Sequence, residues 1–421
     1  MGWGVSIRGR LHALDNLRMG SLPDSDFAGG SVNQRGPDQP IDLRQLYGQV
    51  LLPFGVLTAG RIRRARRLGN GRFINSRDSG LDDDFGDVGD RVAFTTPLAG
   101  MLWTALYEIS SSGLDAGATP RHPPGLRPRP ARRRAVAFSV ARWDAPASRQ
   151  RRLDARRTTV NFGVVGAYRT QDYDLAPGDL PSLRSAIRRD LSAFVGDAWL
   201  RADIGRFSVE GEFAFVGFSI ANASIDPSVA LNVKVTGRQY GGVLRADWRH
   251  SPRFFLRLEA GLASGDDRPG FGARPTQTAQ AQPGDLDGPQ FDLARAPRDV
   301  NINNFRFHPN YRVDLILWRR IIGTITDAWY VRPMARWRIS SMFTVEGAVI
   351  ASVAMEPNST PSGMAPLGVE ADLGIIYEQE HGFWARLDYG LLLPLSGFRN
   401  IPANTDPEPA HALHLVMAYR Y

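Results

Sequence analysis

The chain alternates apolar and polar residues in segments along most of its length. The clearest example is the stretch His411–Tyr421, which places every second side chain on an apolar face: Leu413, Leu415, Met417, Tyr419 and Tyr421. Alternation with a period of two predicts a β-strand with one apolar face. This face ends in two aromatic residues, which suits a strand whose outer side meets the interface of a membrane.

Similar alternation predicts strands throughout the chain. The segments include Ala135–Trp143, Thr159–Thr170, Ala198–Ile204, Phe207–Ile220, Tyr311–Trp318, Ala328–Ile339, Met342–Ala354, Val369–Tyr377 and Phe383–Leu393. Counting all candidates gives about 16–18 strands, the number at which barrels enclose an aqueous channel. We therefore predict an all-β fold, a transmembrane antiparallel up-and-down β-barrel formed by one domain, 1–421. A soluble periplasmic β-sandwich that binds sugars stays open, because alternation alone does not separate the two.

Charged residues occupy the face opposite the apolar one. A turn at Ser251–Arg253 would set Arg245 across from Glu259 and Asp247 across from Arg257, which pairs opposite charges. In a barrel these charges line the lumen, and the full predicted set is Arg245, Asp247, Arg249, Arg257, Glu259, Arg336, Arg338, Glu370, Asp372, Arg386, Asp388 and Arg420. Arginine outnumbers the acids in this set, so we expect a weak preference for anions.

Short turns alternate with long polar connections. Pro53–Gly55, Pro97–Gly100 and the pair Gly205 and Arg206 predict tight turns, since glycine and proline suit their backbone angles. Long loops are predicted at about 119–134 and 265–303, which are rich in proline or glycine. The sequence does not decide whether these loops fold inward.

Composition removes several classes of protein. The 421 residues carry a net charge of +8, but only one of the positive residues is lysine and the arginines are spread along the chain, which does not favour nucleic-acid binding. The absence of cysteine removes disulfides and thiolate chemistry. The seven histidines stand outside any G-x-S-x-G or H-E-x-x-H motif. We predict no enzymatic activity, no catalytic residues and no cofactor.

Leu81–Asp90 is an acidic run whose carboxylates at Asp82, Asp84 and Asp87 are candidate calcium ligands. Their spacing is not that of an EF-hand, and a solvated acidic loop is the alternative.

The first residues contain no basic, apolar and small-residue series of a signal peptide, although Val5, Ile7 and Leu11 already alternate as in a strand. We expect that an export signal, and with it a first strand, is missing from this chain.

Three stretches carry a resemblance to a known family. Leu43–Arg61 contains Tyr-Gly, Phe-Gly and Gly-Arg steps, Gly89–Tyr107 has a Pro-to-Gly turn between two strands, and the final strand ends in an aromatic residue. With these features the chain resembles porin-like and alginate-export-like outer-membrane β-barrels, including some known from myxobacteria.

The resemblance implies the outer membrane of a Gram-negative bacterium, with membrane lipid and the barrel-assembly machinery as partners. The implied function is a channel that passes small hydrophilic or anionic solutes, or that exports a polymer such as a polysaccharide. The last strand would close the barrel against the first. A plugged, structural or adhesive barrel without an open pore is the alternative.

Overall fold

A computed structural model gives the structure of residues 4–15, 39–63, 88–110, 133–175, 186–222, 233–268, 299–307, 311–379 and 382–419. It contains sixteen strands: β1 Gly4–Asp15, β2 Gln39–Leu52, β3 Gly55–Arg63, β4 Val88–Leu98, β5 Met101–Ser110, β6 Arg133–Arg142, β7 Thr159–Leu175, β8 Ala186–Ile204, β9 Phe207–Ile220, β10 Val235–Arg249, β11 Phe254–Ala263, β12 Ala328–Arg338, β13 Phe343–Ala354, β14 Pro366–Glu378, β15 Phe383–Pro394 and β16 Ala410–Tyr419. One α-helix, α1 Pro146–Asp154, joins β6 to β7.

The strands form a single antiparallel sheet in the order of the sequence, β1 to β16. Each strand pairs with the strands before and after it, so the topology is up-and-down, and the predicted all-β fold is confirmed. In the described part of the chain β1 pairs with β2 alone and β16 with β15 alone. Among the described residues, no helix is long and apolar enough to cross a membrane.

The turns divide the sheet into two ends. The "short-turn end" carries connections such as 53–54, 99–100 and 205–206, whereas the "long-loop end" carries the longer ones, including 264–327. Ala99 and Gly100 both have positive φ angles, 54° and 75°, as the mirror-image turns that match strand twist require. The predicted tight turns are therefore confirmed.

The predicted register between β10 and β11 is confirmed. Arg245 lies opposite Glu259, and Asp247 lies opposite Arg257. Because a shift of one residue would move every side chain to the other face, this register fixes which residues of both strands share a face.

The two faces of the sheet differ in a way that reverses the usual pattern of water-soluble proteins. Large apolar side chains on the "apolar face" are exposed, as Leu244 (57%) and Leu415 (56%) show. Charged side chains on the "polar face" are enclosed, with Arg245 8% and Glu259 0% exposed. Charged residues are rarely buried unless they are paired, so the polar face is the interior of the molecule.

The interior also contains part of the long β11–β12 connection. We call residues 299–307 and 311–327 the inner segment. Its Phe305, Phe307, Ile316, Leu317 and Trp318 pack in one core with apolar side chains of the strands, including Ala214, Val243, Ile350, Leu367 and Leu392. Gly241 allows this approach, because a Cβ there would lie 2.3 Å from the Phe305 ring.

Three details of the structure lie outside the sequence prediction. Tyr311–Trp318 is not a strand; it leads into a π-helical turn, Leu317–Ile321, within the inner segment. Trp199 does not face outward with the other aromatic residues near strand ends, because it is 3% exposed and its indole N–H donates to Glu210 at 3.0 Å. Helix α1 lies in a tract without a predicted helix.

Candidate functional site

Ion pairs cover the polar face between β10 and β11. Arg245 Nη2 lies 2.6 Å from Glu259 Oε2, and Arg257 Nε lies 2.7 Å from Asp247 Oδ1. Both arginines bond their carboxylates through two nitrogens. Such two-donor pairs are stronger and more directional than single contacts. The wall of the interior is therefore charged but locally neutralised.

Glu259 connects this wall to the inner segment. Besides Arg245, its carboxylate accepts hydrogen bonds from the hydroxyls of Tyr311 at 2.6 Å and Tyr330 at 3.0 Å. Tyr311 belongs to the inner segment, whereas Tyr330 belongs to β12. The carboxylate therefore has three partners, which is how a fully buried charge is tolerated.

A second ion-paired group spans β12 to β15. Glu346 pairs with both Arg336 and Arg386, the latter at 3.0 Å, and Arg386 also pairs with Asp388 at 2.8 Å. Arg336 and Arg257 lie on the Phe255 ring, at 5.9 Å and 5.1 Å from its centroid. Strands β12, β13 and β15 thus contribute to one charged network.

Glu370 holds the inner segment from the side of β14. Its carboxylate accepts the backbone N–H groups of Leu315, Ile316 and Leu317 at 2.8–3.0 Å. The carboxylate of Asp314 likewise accepts the backbone N–H groups of Trp318 at 2.9 Å and of Arg319 at 3.1 Å.

These acceptors explain why the strand prediction for Tyr311–Trp318 is wrong. The bonds satisfy N–H groups that a strand would offer to a neighbour, and so support a helical turn. Burial and the nearby Glu370 raise the pKa of the Asp314 carboxyl well above its usual range.

A third anchor holds the inner segment near its junction with β12. The Asp327 carboxylate accepts the N–H of Glu356 at 2.8 Å and the hydroxyl of Ser359. Burial raises the pKa of Asp327 to about 7 and that of Asp266 to about 6. Asp266 accepts the N–H of Asn303 at 2.7 Å, so both acids tie the segment to the long-loop end.

A cavity of about 260 Å³ remains between the inner segment and strands β12 to β16. Its charged lining includes Arg312, Arg319, Arg332, Arg386, Asp372 and Asp388. The cavity is large enough for a small hydrophilic molecule, and both signs of charge face it.

The structure locates most of the charged residues singled out from the sequence. Eleven of the twelve lie in strands, where Arg249, Arg336 and Arg338 are exposed near the short-turn end. Glu370 differs in that it binds backbone of the inner segment. In β16, Leu413, Leu415, Met417 and Tyr419 are exposed on the apolar face. Five fall outside the described residues: Arg420, Tyr421, Asp82, Asp84 and Asp87.

Sequence reasoning missed several residues of this site. Glu346 and Arg332 could have been found, because both lie within strands predicted from the sequence, Met342–Ala354 and Ala328–Ile339. Asp314, Arg306 and Tyr311 could not, because nothing in their local pattern shows that a long connection folds into the interior.

The fold and the polar interior define a class: a sixteen-stranded, antiparallel up-and-down sheet of the transmembrane β-barrel type. No protein-family model matches the chain, and no curated protein matches it.

Solved outer-membrane proteins resemble it weakly. OccK9 of Pseudomonas aeruginosa aligns with 99% of this chain and 86% of its own length, at 12% identity and a TM-score of 0.47. OccAB1 of Acinetobacter baumannii aligns with 99% of this chain and 86% of its own length, at 9% identity and a TM-score of 0.46. Pseudomonas aeruginosa OccK2, solved in complex with glucuronate, aligns with 84% of this chain and 76% of its own length, at 10% identity and a TM-score of 0.42. The class therefore stands on strand order and faces, not on these similarities.

Proposed function

We propose that this protein is an outer-membrane channel of a Gram-negative bacterium that passes small hydrophilic solutes. The observation that carries the proposal is the division of one continuous sheet into an exposed apolar face and an enclosed, ion-paired polar face. Lipid satisfies an apolar outer surface, and water or polar solutes satisfy a charged interior. Closure of β16 against β1 is part of the proposal, since it would leave no open sheet edge in the bilayer.

The charged interior supports a preference for anions as the narrower form of the proposal. Arg312, Arg319 and Arg332 on the cavity add to the arginines expected from the sequence. Glu210, Glu212 and Glu346 add negative charge to the same interior, so the preference should be weak. Glucuronate is bound by OccK2, and an acidic sugar is a reasonable first solute for this chain. Export of a polysaccharide, as the alginate-export resemblance suggests, is a further variant.

A plugged barrel is the second candidate, and the inner segment favours it. The segment packs in an apolar core inside the molecule. Glu259 and Glu370 of the strands bind it, and its own Asp327 binds Glu356 beyond β13. A segment held at three points would narrow the interior, and it would close it if no continuous path remained beside it.

Single-channel recording tests both candidates. The full chain is refolded in detergent and inserted into a planar bilayer, beside the variants Glu370→Ala and Glu378→Ala. Glu378 ends the same strand at the exposed short-turn end, so its variant is the matched control. For an open channel we expect discrete steps from the wild type, and larger steps from Glu370→Ala because the segment loses three hydrogen bonds.

The other outcomes separate the candidates. A silent wild type with a conducting Glu370→Ala variant would identify a plugged barrel. Silence from all three folded proteins would refute the channel, and reversal potentials in a salt gradient measure ion preference. Equal currents for anions and cations would refute the anion preference alone.

A further inference from the structure

The guanidinium of Arg306 is a charged group of the inner segment that lies outside the ion-paired networks described above. Its Nε and Nη2 atoms are buried, and their N–H groups donate to no hydrogen-bond acceptor in the described part of the protein. Burial lowers the pKa of Arg306 to about 10, and no described carboxylate lies close enough to oppose this effect. In the β10–β11 wall, Arg245 and Arg257 are each paired with a carboxylate, whereas Arg306 has no such pair among the described residues.

A buried polar atom without a partner calls for an explanation, and the usual one is a bound ion or water. For a guanidinium the requirement is stronger, because a buried charge without a partner is costly. The missing partner must accept hydrogen bonds and should carry negative charge.

The two unpartnered nitrogens define the shape of that partner. Nε–H and Nη2–H lie along one edge of the planar guanidinium and point in parallel. This edge matches two oxygens of a carboxylate or a phosphate.

Thr326 supplies a third polar atom on the same side of the chain as Arg306. Arg306 and Thr326 face each other in an isolated antiparallel bridge, supported by the bond from Phe307 N–H to Ile325 O at 2.9 Å. Directly opposed residues extend their side chains on the same side. Thr326 Oγ1 is also buried and without a hydrogen-bond partner.

The neighbours of Arg306 show which way it points. Phe305 and Phe307 pack against the strand wall in the apolar core. Since successive side chains of an extended chain alternate, Arg306 is directed away from that wall.

We propose that the Nε–Nη2 edge of Arg306 and the hydroxyl of Thr326 form a binding site for an oxyanion, the carboxylate or phosphate group of a small solute. The site rests on the proposed channel function, to which it adds a specific anion-binding residue inside the barrel.

Thermal unfolding of the refolded full chain tests the site without requiring conduction. At constant ionic strength, sodium chloride is replaced stepwise by sodium acetate in one series and by sodium phosphate in another. The wild type should unfold at a higher temperature as one of these anions replaces chloride. In Arg306→Gln the concentration for half of this effect should rise at least tenfold. Arg238→Gln, at an exposed arginine of β10, should leave it unchanged.

Arg306→Lys provides a second variant that keeps the charge but loses the two-donor edge. It should bind the anion more weakly than the wild type, and it keeps the test valid if Arg306→Gln fails to fold. The more effective of acetate and phosphate identifies the type of oxyanion.

An identical anion response in wild type and both Arg306 variants would overturn the proposal, as would no response in the wild type. Steps in the bilayer without Arg306-dependent stabilisation would leave the channel and reject the site. Stabilisation that depends on Arg306 in a protein that does not conduct would keep the site and reject the channel.

Discussion

At the scale of single residues, the enclosed ion pairs of the polar face matter more for stability than the exposed ones. Glu259 is 0% exposed, and removal of its arginine would leave a buried charge with two tyrosine hydroxyls but without its bonded cation. By contrast, the pair of Arg61 and Asp90 joins side chains that are 47% and 50% exposed. Water competes with the second pair and not with the first.

Arg245→Met should therefore lower the free energy of unfolding by about 3–5 kcal/mol, whereas Arg61→Met should lower it by at most about 1 kcal/mol. Guanidinium unfolding of the proteins refolded in vesicles, followed by tryptophan fluorescence, measures both. Comparable losses of unfolding free energy for the two variants would show that water reaches the Arg245–Glu259 pair as readily as the exposed Arg61–Asp90 pair.

At the scale of elements, strands were predictable because alternation is a local property. The register of β10 with β11 also followed, since opposite charges had to meet. The inner segment was not predictable. Its fold depends on Glu259 and Glu370, which lie 52 and 55 residues from Tyr311 and Leu315 along the chain. The oxyanion edge of Arg306 is hidden for the same reason.

The anchoring of the inner segment should depend on pH through Asp327. Its pKa is about 7 in the folded protein, above the ordinary 3.8, because burial disfavours the charged carboxylate. The folded state therefore holds this proton more tightly than the unfolded chain does. The contribution of this tighter proton binding to the free energy of unfolding is fully present below about pH 4. It is lost as the pH rises through 7.

We expect Asp327→Asn to flatten this dependence, so that the free energy of unfolding differs less between pH 5 and pH 8 than in the wild type. The full contribution across the window is on the order of 4 kcal/mol at most. Asp266, with its pKa of about 6, leaves a smaller dependence of the same sign. Asp406→Asn is the control, because that side chain is 80% exposed. An unchanged pH profile in Asp327→Asn would contradict the assignment.

At the scale of the whole molecule, the exposed apolar face requires a lipid environment. Leu244 lies within β10 and Leu98 lies at the short-turn end of β4, and both are more than half exposed. In a water-soluble protein both sites would accept a charge with little effect, since exposed surface changes shift stability by at most about 0.5 kcal/mol. In a bilayer the cost of a charge on the outer face depends on its depth, so the two positions should respond differently.

Leu244→Arg should destabilise the vesicle-refolded protein by about 2–4 kcal/mol, and Leu98→Arg by at most about 1 kcal/mol. Unfolding by guanidinium in vesicles gives both values. If neither variant is destabilised, and the wild type stays in solution without detergent, the soluble β-sandwich becomes the better description.

The strict order from β1 to β16 has an evolutionary consequence. Because each strand pairs with its sequence neighbours, a duplicated or deleted hairpin would alter only the strand pairs at the point of insertion or removal. The register of every other strand pair would be inherited unchanged, and only the number of strands in the sheet would change. The exception is the arc from β9 to β16, where the inner segment binds several strands at once. Descendants of this chain could thus gain or lose hairpins among β1 to β8, while β9 to β16 are conserved as a unit.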